Sequence, residues 1–258
     1  MSAAAKVLVL GSGTSHGVPM IGCECGTCTS TDPRDRRSRA SILIETAEGK
    51  SVLVDTTPDL RSQALAHKVR RVDAIAYTHS HADHIMGLDD VRRYNVLQKS
   101  AIPCYGDERT LQDLRRVFAY IFERDAPRGI PQVVLAHVMG EFCIGSVTFV
   151  PVPVMHGSRQ ILGYRIGSFA YLTDCSAIPD ASWLLLKGVR TLVLDALRER
   201  PHPTHLSVDE ALAVVDRVAP ERAYFTHMCH DLPHAATCAR LPAGVELAYD
   251  GLTFDIAL

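Results

Sequence analysis

Residues 78–84 read Thr-His-Ser-His-Ala-Asp-His, and this stretch constrains the chain more than any other. Four metal-competent side chains, His79, His81, Asp83 and His84, fall within six positions. Imidazole nitrogen and carboxylate oxygen suit zinc, manganese or iron. One ion cannot easily use all four, because adjacent side chains such as Asp83 and His84 point in different directions. The spacing therefore suggests two metals side by side, one served by His79 and His81 and the other by Asp83 and His84. The flanking sequence predicts how the motif is displayed. Asp73–Tyr77 reads as a short buried strand ending at Thr78. Asp83 starts a helix predicted to run through Gly87 and Asp90 to about Leu97. A strand-to-helix loop presents its side chains at the edge of a sheet, on a scaffold that holds them still.

His79-Ser80-His81-Ala82-Asp83-His84 matches the HxHxDH signature of the metallo-β-lactamase superfamily, and the chain resembles that family over nearly its whole length. Later landmarks follow in the family's order: His156 after Val152-Pro153-Val154-Met155, Asp174 after Ala170-Tyr171-Leu172-Thr173, and His227 after Ala223-Tyr224-Phe225-Thr226. The resemblance implies that His79, His81 and His156 bind a first metal. It implies that Asp83, His84 and His227 bind a second, with Asp174 bridging. It also implies an α/β fold, the αββα sandwich of the metallo-β-lactamase type, with two central sheets and helices outside. Asp55, closing Val52-Leu53-Val54, resembles an early family aspartate that orients a metal ligand without binding metal.

A second cluster lies near the N-terminus. Cys23-Glu24-Cys25-Gly26-Thr27-Cys28 is a CxCxxC knuckle. Three thiolates this close can wrap one zinc ion with Zn–S bonds of ~2.3 Å, and a structural zinc usually takes a fourth ligand. Buried small hydrophobes or a redox pair are the competing readings. The chain further resembles the phosphodiesterase accessory proteins of the carbon–phosphorus lyase pathway. The shared features are the Gly-Ser-Gly-Thr-Ser-His-Gly-Val-Pro loop at 11–19, the knuckle after it, and the late His227-Met228-Cys229-His230. That resemblance implies a structural zinc on Cys23, Cys25, Cys28 and His230, with Cys229 a competitor from its place between the two histidines. The ion would then pin the N-terminal loop against the catalytic pair.

The cofactors expected are thus two catalytic divalent ions, zinc or manganese, and one structural zinc. Two adjacent metals can supply hydroxide near neutral pH and neutralise charge on phosphoryl oxygens. What such a site still needs is a proton for the departing alkoxide. In the resembling phosphodiesterases a histidine of the loop after Thr191–Leu194 acts on the substrate, and His205 best matches it as general acid. His202, flanked by prolines, is the weaker rival. His16, Ser158 and Arg159 receive no role.

The leading function is a metal-dependent phosphodiesterase for small cyclic phosphodiesters, such as a cyclic ribosyl phosphate or a 2′,3′-cyclic nucleotide. A tRNA 3′-processing endonuclease and a non-enzymatic metal-stabilised binding module are the alternatives. The net charge of −2 gives no general grip on a nucleic-acid duplex, and no long basic arm is present. The partner expected is therefore a small phosphodiester or nucleotide, with no extended nucleic-acid surface and no membrane; homodimerisation stays open. The basic run Arg34, Arg36, Arg37, Arg39 reads as a solvated connection. No segment approaches the ~18–20 apolar residues of a membrane span, and Lys6–Leu10 reads as a first strand, not as part of a signal peptide. Eight cysteines without an export signal favour a reducing compartment. A cytoplasmic protein with a single domain over residues 1–258 and a small knuckle at 23–28 is expected. Further strands are predicted over 39–46 and 51–55, joined by a hairpin at Ala47-Glu48-Gly49-Lys50, and over 132–137, 146–152, 162–166, 169–172, 191–194 and 222–225. Helices are predicted over 59–68, 108–120, 181–186 and 207–218.

Overall fold

The computed structural model describes residues 4–123 and 129–258. The first half runs β1 (Ala4–Gly11), β2 (Ser41–Thr46), β3 (Ser51–Val54), α1 (Leu60–Ala66), β4 (Ala74–Ala76), α2 (Ala82–Ile85), α3 (Arg92–Gln98), β5 (Ile102–Gly106), α4 (Glu108–Val117) and β6 (Val133–His137). The second half runs β7 (Phe142–Ile144), β8 (Val147–His156), β9 (Arg159–Ile166), β10 (Phe169–Leu172), α5 (Asp180–Trp183), β11 (Thr191–Asp195), α6 (Val208–Val218), β12 (Arg222–Thr226), α7 (His234–Cys238), β13 (Val245–Leu247) and β14 (Thr253–Ala257). They build two seven-stranded sheets, ordered β14-β1-β2-β3-β4-β5-β6 and β13-β12-β11-β10-β9-β8-β7. This is the expected αββα sandwich.

Alternation along the strands explains the layers. In β2 the side chains of Ile42 and Ile44 join one apolar cluster with Phe149, Val152 and Val154 of the other sheet. Leu43, between them, joins a second cluster with Leu60, Leu88, Val91 and Leu114 from the helical side. Successive strand residues face opposite sides; here both sides are covered, so the strand reads as an unbroken apolar run. Each such buried side chain contributes roughly 1.5–3 kcal/mol relative to exposure. Helices α5, α6 and α7 pack on β8, β11 and β13 of the second sheet.

The helix predicted from Asp83 to Leu97 is broken in two. Between α2 and α3 lies a 3₁₀ turn over Met86–Val91. The cause is Gly87, whose backbone is pressed so closely on the Thr57 carbonyl that a Cβ there would meet it at 2.0 Å. Its N–H donates to the Thr56 carbonyl at 2.9 Å, outside its own helix. The closing strand β14, which pairs antiparallel with β1 from Ala4↔Ala257 to Leu8↔Thr253, has no counterpart in the sequence reading. The hairpin at 47–50 forms as expected, with Gly49 at φ +78° and its N–H donating to Thr46 O.

The basic run departs from expectation at one residue. Arg34 and Arg36 are exposed, but Arg37 is buried and donates to the backbone carbonyls of Cys229 and Leu232 and to Asp35 at 3.1 Å. It ties the N-terminal loop to the turn after β12. Among the described residues no helix is long and apolar enough to cross a membrane.

Candidate functional site

The chemistry-bearing residues gather at the ends of strands, most of them parallel. Asp55 follows β3, the HxHxDH segment follows β4, His156 ends β8, Asp174 lies just past β10, Asp195 ends β11 and His227 follows β12. The carboxyl ends of strands are where an α/β sheet opens a crevice. Asp55, Asp174 and His227 hold φ of +64°, +55° and +58°. Such left-handed backbone at non-glycine residues is strained and persists only where the surroundings enforce it. Among the described residues the other non-glycine residues with positive φ, Lys68, Lys99 and Ala219, lie at or just past helix ends.

The side chains fall into two adjoining groups. His79, His81 and His156 bring one ligand atom each within 4.8 Å of one another, and so do Asp83, His84, Asp174 and His227. Asp174 stands between the groups: Oδ2 is 3.1 Å from His84 Nε2, while Oδ1 is 3.3 Å from His227 Nε2 and 4.0 Å from His79 Nε2. Asp83 Oδ2 is 3.3 Å from His84 Nε2 and 3.6 Å from His227 Nε2. The Nε2 atoms of His79, His84 and His227 are buried without a hydrogen-bond partner among the described residues. Buried polar atoms are rarely left so. Two donors each ~2.0–2.2 Å from a common ion stand about 3–3.5 Å apart, close to the spacing found here. The orphaned nitrogens and their carboxylate neighbours therefore fit metal ions.

The opposite ring nitrogens of His79, His84 and His156 are committed elsewhere, whereas His227 Nδ1 too is without a partner among the described residues. Thr78 donates to both oxygens of Asp55, from N at 2.8 Å and from Oγ1 at 2.7 Å. His84 Nδ1 donates to Asp55 Oδ2 at 2.7 Å, and His79 Nδ1 donates to Thr78 Oγ1 at 3.0 Å. His156 Nδ1 donates to the Thr204 carbonyl at 2.7 Å. With Nδ1 protonated, each ring offers its Nε2 lone pair. Asp55 thus touches the back of the ligand set.

Electrostatics favour a cation among these groups. Burial, reinforced by His84, holds His79 well below the usual histidine range. Burial also opposes charge on His84, but Asp174, Asp83 and Asp55 overcome it and hold that histidine well above its range. Asp174 is held well below the carboxylate range because His227 and His84 outweigh its burial. A field that attracts a proton attracts a metal ion at the same place.

His205 adjoins both groups, its ring 4.8 Å from that of His156 and 4.7 Å from that of His227. Its Nδ1 lies 2.7 Å from Asp195 Oδ2, which leaves Nε2 available. Burial, with His227 nearby, lowers His205 to about 4, and burial raises Asp195 well above its range. Both shifts favour the pair with no net charge. The sequence reading missed Asp195. The signal was present: Leu192-Val193-Leu194-Asp195 repeats the apolar-strand-then-aspartate pattern of Val52-Leu53-Val54-Asp55.

The knuckle forms a separate group. The sulfurs of Cys23, Cys25 and Cys28 lie 3.1, 3.4 and 3.6 Å from His230 Nδ1. Tetrahedral zinc with bonds of ~2.3 Å to sulfur and ~2.0–2.1 Å to nitrogen sets such pairs about 3.6 Å apart. Cys229 stands outside this group, its sulfur accepting from Asp231 N at 3.3 Å. The backbone N–H of Cys28, helped by the neighbouring thiols and His230 against burial, lowers Cys25 to about 6. Burial raises Cys28 to about 11.

Comparison with known proteins agrees with this geometry. The model of the β-lactamase superfamily domain matches residues 50–228. A solved structure described as a new diphosphatase from the PhnP family superposes with a TM-score of 0.94 at 48% identity, covering 100% of this chain and 99% of that one. An octanoyltransferase from Porphyromonas gingivalis is 36% identical over 251 residues, 96% of this chain but 51% of that protein, so the chain spans about half of its length. Coenzyme PQQ synthesis protein B of Xanthomonas axonopodis pv. citri is 32% identical over 98% of this chain and 100% of its own. The resemblance drawn from the HxHxDH and CxCxxC motifs is borne out: the chain belongs to the β-lactamase superfamily, with the metallo-β-lactamase fold, and within it to the PhnP family.

Proposed function

We propose that the protein is a binuclear metal-dependent phosphodiesterase acting on small, cyclic phosphodiesters such as a cyclic ribosyl phosphate or a 2′,3′-cyclic nucleotide. The observation that carries this reading is the pair of adjoining ligand groups with Asp174 between them and a histidine–aspartate pair beside them. His79, His81 and His156 would hold one ion and Asp83, His84 and His227 the other, with Asp174 standing between the two groups. The ions, zinc or manganese, would supply a nucleophilic hydroxide and neutralise phosphoryl charge. The chain's own part is to fix the ligands and manage the proton. Asp55 and Thr78 keep the His84 and His79 rings turned with Nε2 forward. Asp195, kept protonated by burial, would donate to His205 Nδ1, which leaves a proton on Nε2 for the leaving oxygen while the Asp195 proton passes to Nδ1. No serine or cysteine nucleophile is required. Cys23, Cys25, Cys28 and His230 would hold a third ion, zinc.

Diphosphate hydrolysis is the second reading, supported by the description of the 48% identical structure as a diphosphatase. The metals would act alike, the leaving group being a phosphate in place of an alkoxide.

The deciding experiment is a turnover screen on metal-analysed protein, comparing cyclic and linear diesters, diphosphates, monoesters and thioesters, with His205→Ala alongside. We expect diester cleavage to a monoester. His205→Ala should retain its metals and lose ~10²–10⁴-fold in kcat, with a smaller loss on p-nitrophenyl esters, whose leaving group needs little protonation. Inert diesters beside rapid monoester or thioester cleavage would overturn the phosphodiesterase reading. An equal loss on good and poor leaving groups would remove the proton-donor role of His205.

A further inference from the structure

The ligand histidines form a row with His205 at one end. His205 is 4.8 Å from His156 and His156 is 5.0 Å from His81, ring to ring. The far end of this row carries a cation, Arg159. It is the first residue of β9, and its Cα is paired with that of His156 across a two-residue turn. Directly opposed residues of an antiparallel pair project from the same face. The Arg159 side chain therefore leaves the hairpin on the side where His156 joins the ligand group. Its Nη2 donates to Ser80 Oγ at 3.1 Å, so the guanidinium lies against the residue between His79 and His81.

This guanidinium is short of acceptors. Its Nε is buried and has no hydrogen-bond partner among the described residues, and no carboxylate among them forms an ion pair with it. Asp113 meets it only through Ser80, whose Oγ donates to Asp113 Oδ2 at 2.6 Å, and Asp113 is itself paired with Arg116 at 2.9 Å. Burial, with Arg109 of α4 next, holds Arg159 below the ordinary guanidinium range. Buried donors are rarely left without an acceptor, and a planar guanidinium binds carboxylate or phosphoryl oxygens where one is offered. His81 is the exposed member of its ligand group, so the site opens on this side.

We propose that Arg159 is a further catalytic residue, whose guanidinium donates to a non-bridging oxygen of the phosphoryl group under attack. The inference rests on the hydrolase reading above and is the same for a diester or a diphosphate. A water oxygen bonds to phosphorus, the bond to the leaving oxygen breaks with its electron pair, and that oxygen takes its proton from His205. The attacking and leaving oxygens stand in line, so charge gathers on the oxygens between them. With His205 on the departing oxygen, a donor at the other end of the row meets one of those remaining oxygens. Arg159 exchanges no proton. It neutralises charge from a fixed place, because the hairpin and Ser80 hold it before the substrate arrives. The orphaned Nε gains its acceptor in the same event.

The test uses metal-loaded protein with adenosine 2′,3′-cyclic phosphate and the two phosphorus diastereomers of its phosphorothioate. Sulfur is a poor acceptor, so placing it where Arg159 holds an oxygen forfeits the contact in advance. Arg159→Gln should lower kcat on the parent substrate by ~10²–10³-fold, the usual cost of one donor to a developing oxyanion. Most of that loss should vanish on one diastereomer and persist on the other. Arg159→Lys should regain part of it. Ser80→Ala, which cuts the tether but leaves the charge, should lose far less than Arg159→Gln. Equal losses on both diastereomers overturn the proposal. So does a Ser80→Ala loss as large as that of Arg159→Gln, or a loss of catalytic metal from Arg159→Gln, since either makes Arg159 a tether of the HxHxDH loop. If metal-loaded wild type cleaves neither the cyclic phosphate nor ADP, the hydrolase reading fails, and calorimetric binding of inorganic phosphate decides whether Arg159 holds a phosphoryl oxygen. A Kd raised ~10-fold or more by Arg159→Gln supports that contact; absent or unaltered binding overturns it.

Discussion

The two ligand clusters of this protein are held in opposite ways. The catalytic cluster hangs from strand ends, and His79, His84, Asp174 and His227 are each 2% exposed or less. Their rings are aimed by buried groups such as Asp55 and Thr78, so the site's shape comes from the sheets. The knuckle lies in the long connection from Gly11 to Ser41, which holds one short 3₁₀ turn and isolated bridges but no strand of its own. Cys23, Cys25 and His230 are only half-buried. There a bound ion would supply the cross-link that a sheet supplies elsewhere. The lesson is that a metal can be the payload of a rigid scaffold or a substitute for one, and the two cases should respond differently to mutation.

The sharpest way to break this comparison is at Asp174. Asp174→Ala removes the carboxylate shared by both ligand groups, and activity should fall by ~10³-fold or more, several kcal/mol of lost charge stabilisation. Elemental analysis should show catalytic metal lost with it while the knuckle zinc stays. Full activity in metal-depleted protein would end the binuclear assignment.

A milder effect is expected one step further out. Asp55→Asn keeps the shape of the side chain but weakens the acceptor of His84 Nδ1 and of Thr78. Catalytic metal affinity should drop by ~10–100-fold, the usual penalty for an outer partner of a ligand histidine. Competition with a chelator measures it. Unaltered affinity would show that the sheet alone aims the rings.

The smallest effect on chemistry should come from the knuckle. Cys25→Ser should release one zinc per chain and lower Tm by ~4–12 °C. This corresponds to ~2–3 kcal/mol in a domain near this size. The kcat for a small diester should change by less than ~10-fold. Retained zinc with an unchanged Tm would refute the cross-link; a kcat loss as large as that of Asp174→Ala would erase the distinction between the clusters.

Much of this was legible in the chain because ligand chemistry is local. The spacing of His79, His81, Asp83 and His84, and the isolated polar residues after apolar runs at 156, 174 and 227, mark strand-end positions without any knowledge of the fold. The same logic marks Asp55 and, applied once more, Asp195. Short apolar runs likewise marked most strands, since burial on both faces leaves little polar alternation in them. Other features depended on partners far along the chain. Gly87 ends a helical pattern because the Thr57 backbone occupies the place of a Cβ. Arg37 is buried, in a run that looks solvated, because carbonyls 192 and 195 residues away accept from it. His230 rather than Cys229 joins the knuckle because the turn after β12 points them apart, and β14 closes the first sheet by pairing with the other end of the chain. The sequence by itself determined which side chains can do chemistry; the tertiary structure decided which of them meet, because proximity across the chain leaves no periodic mark in it.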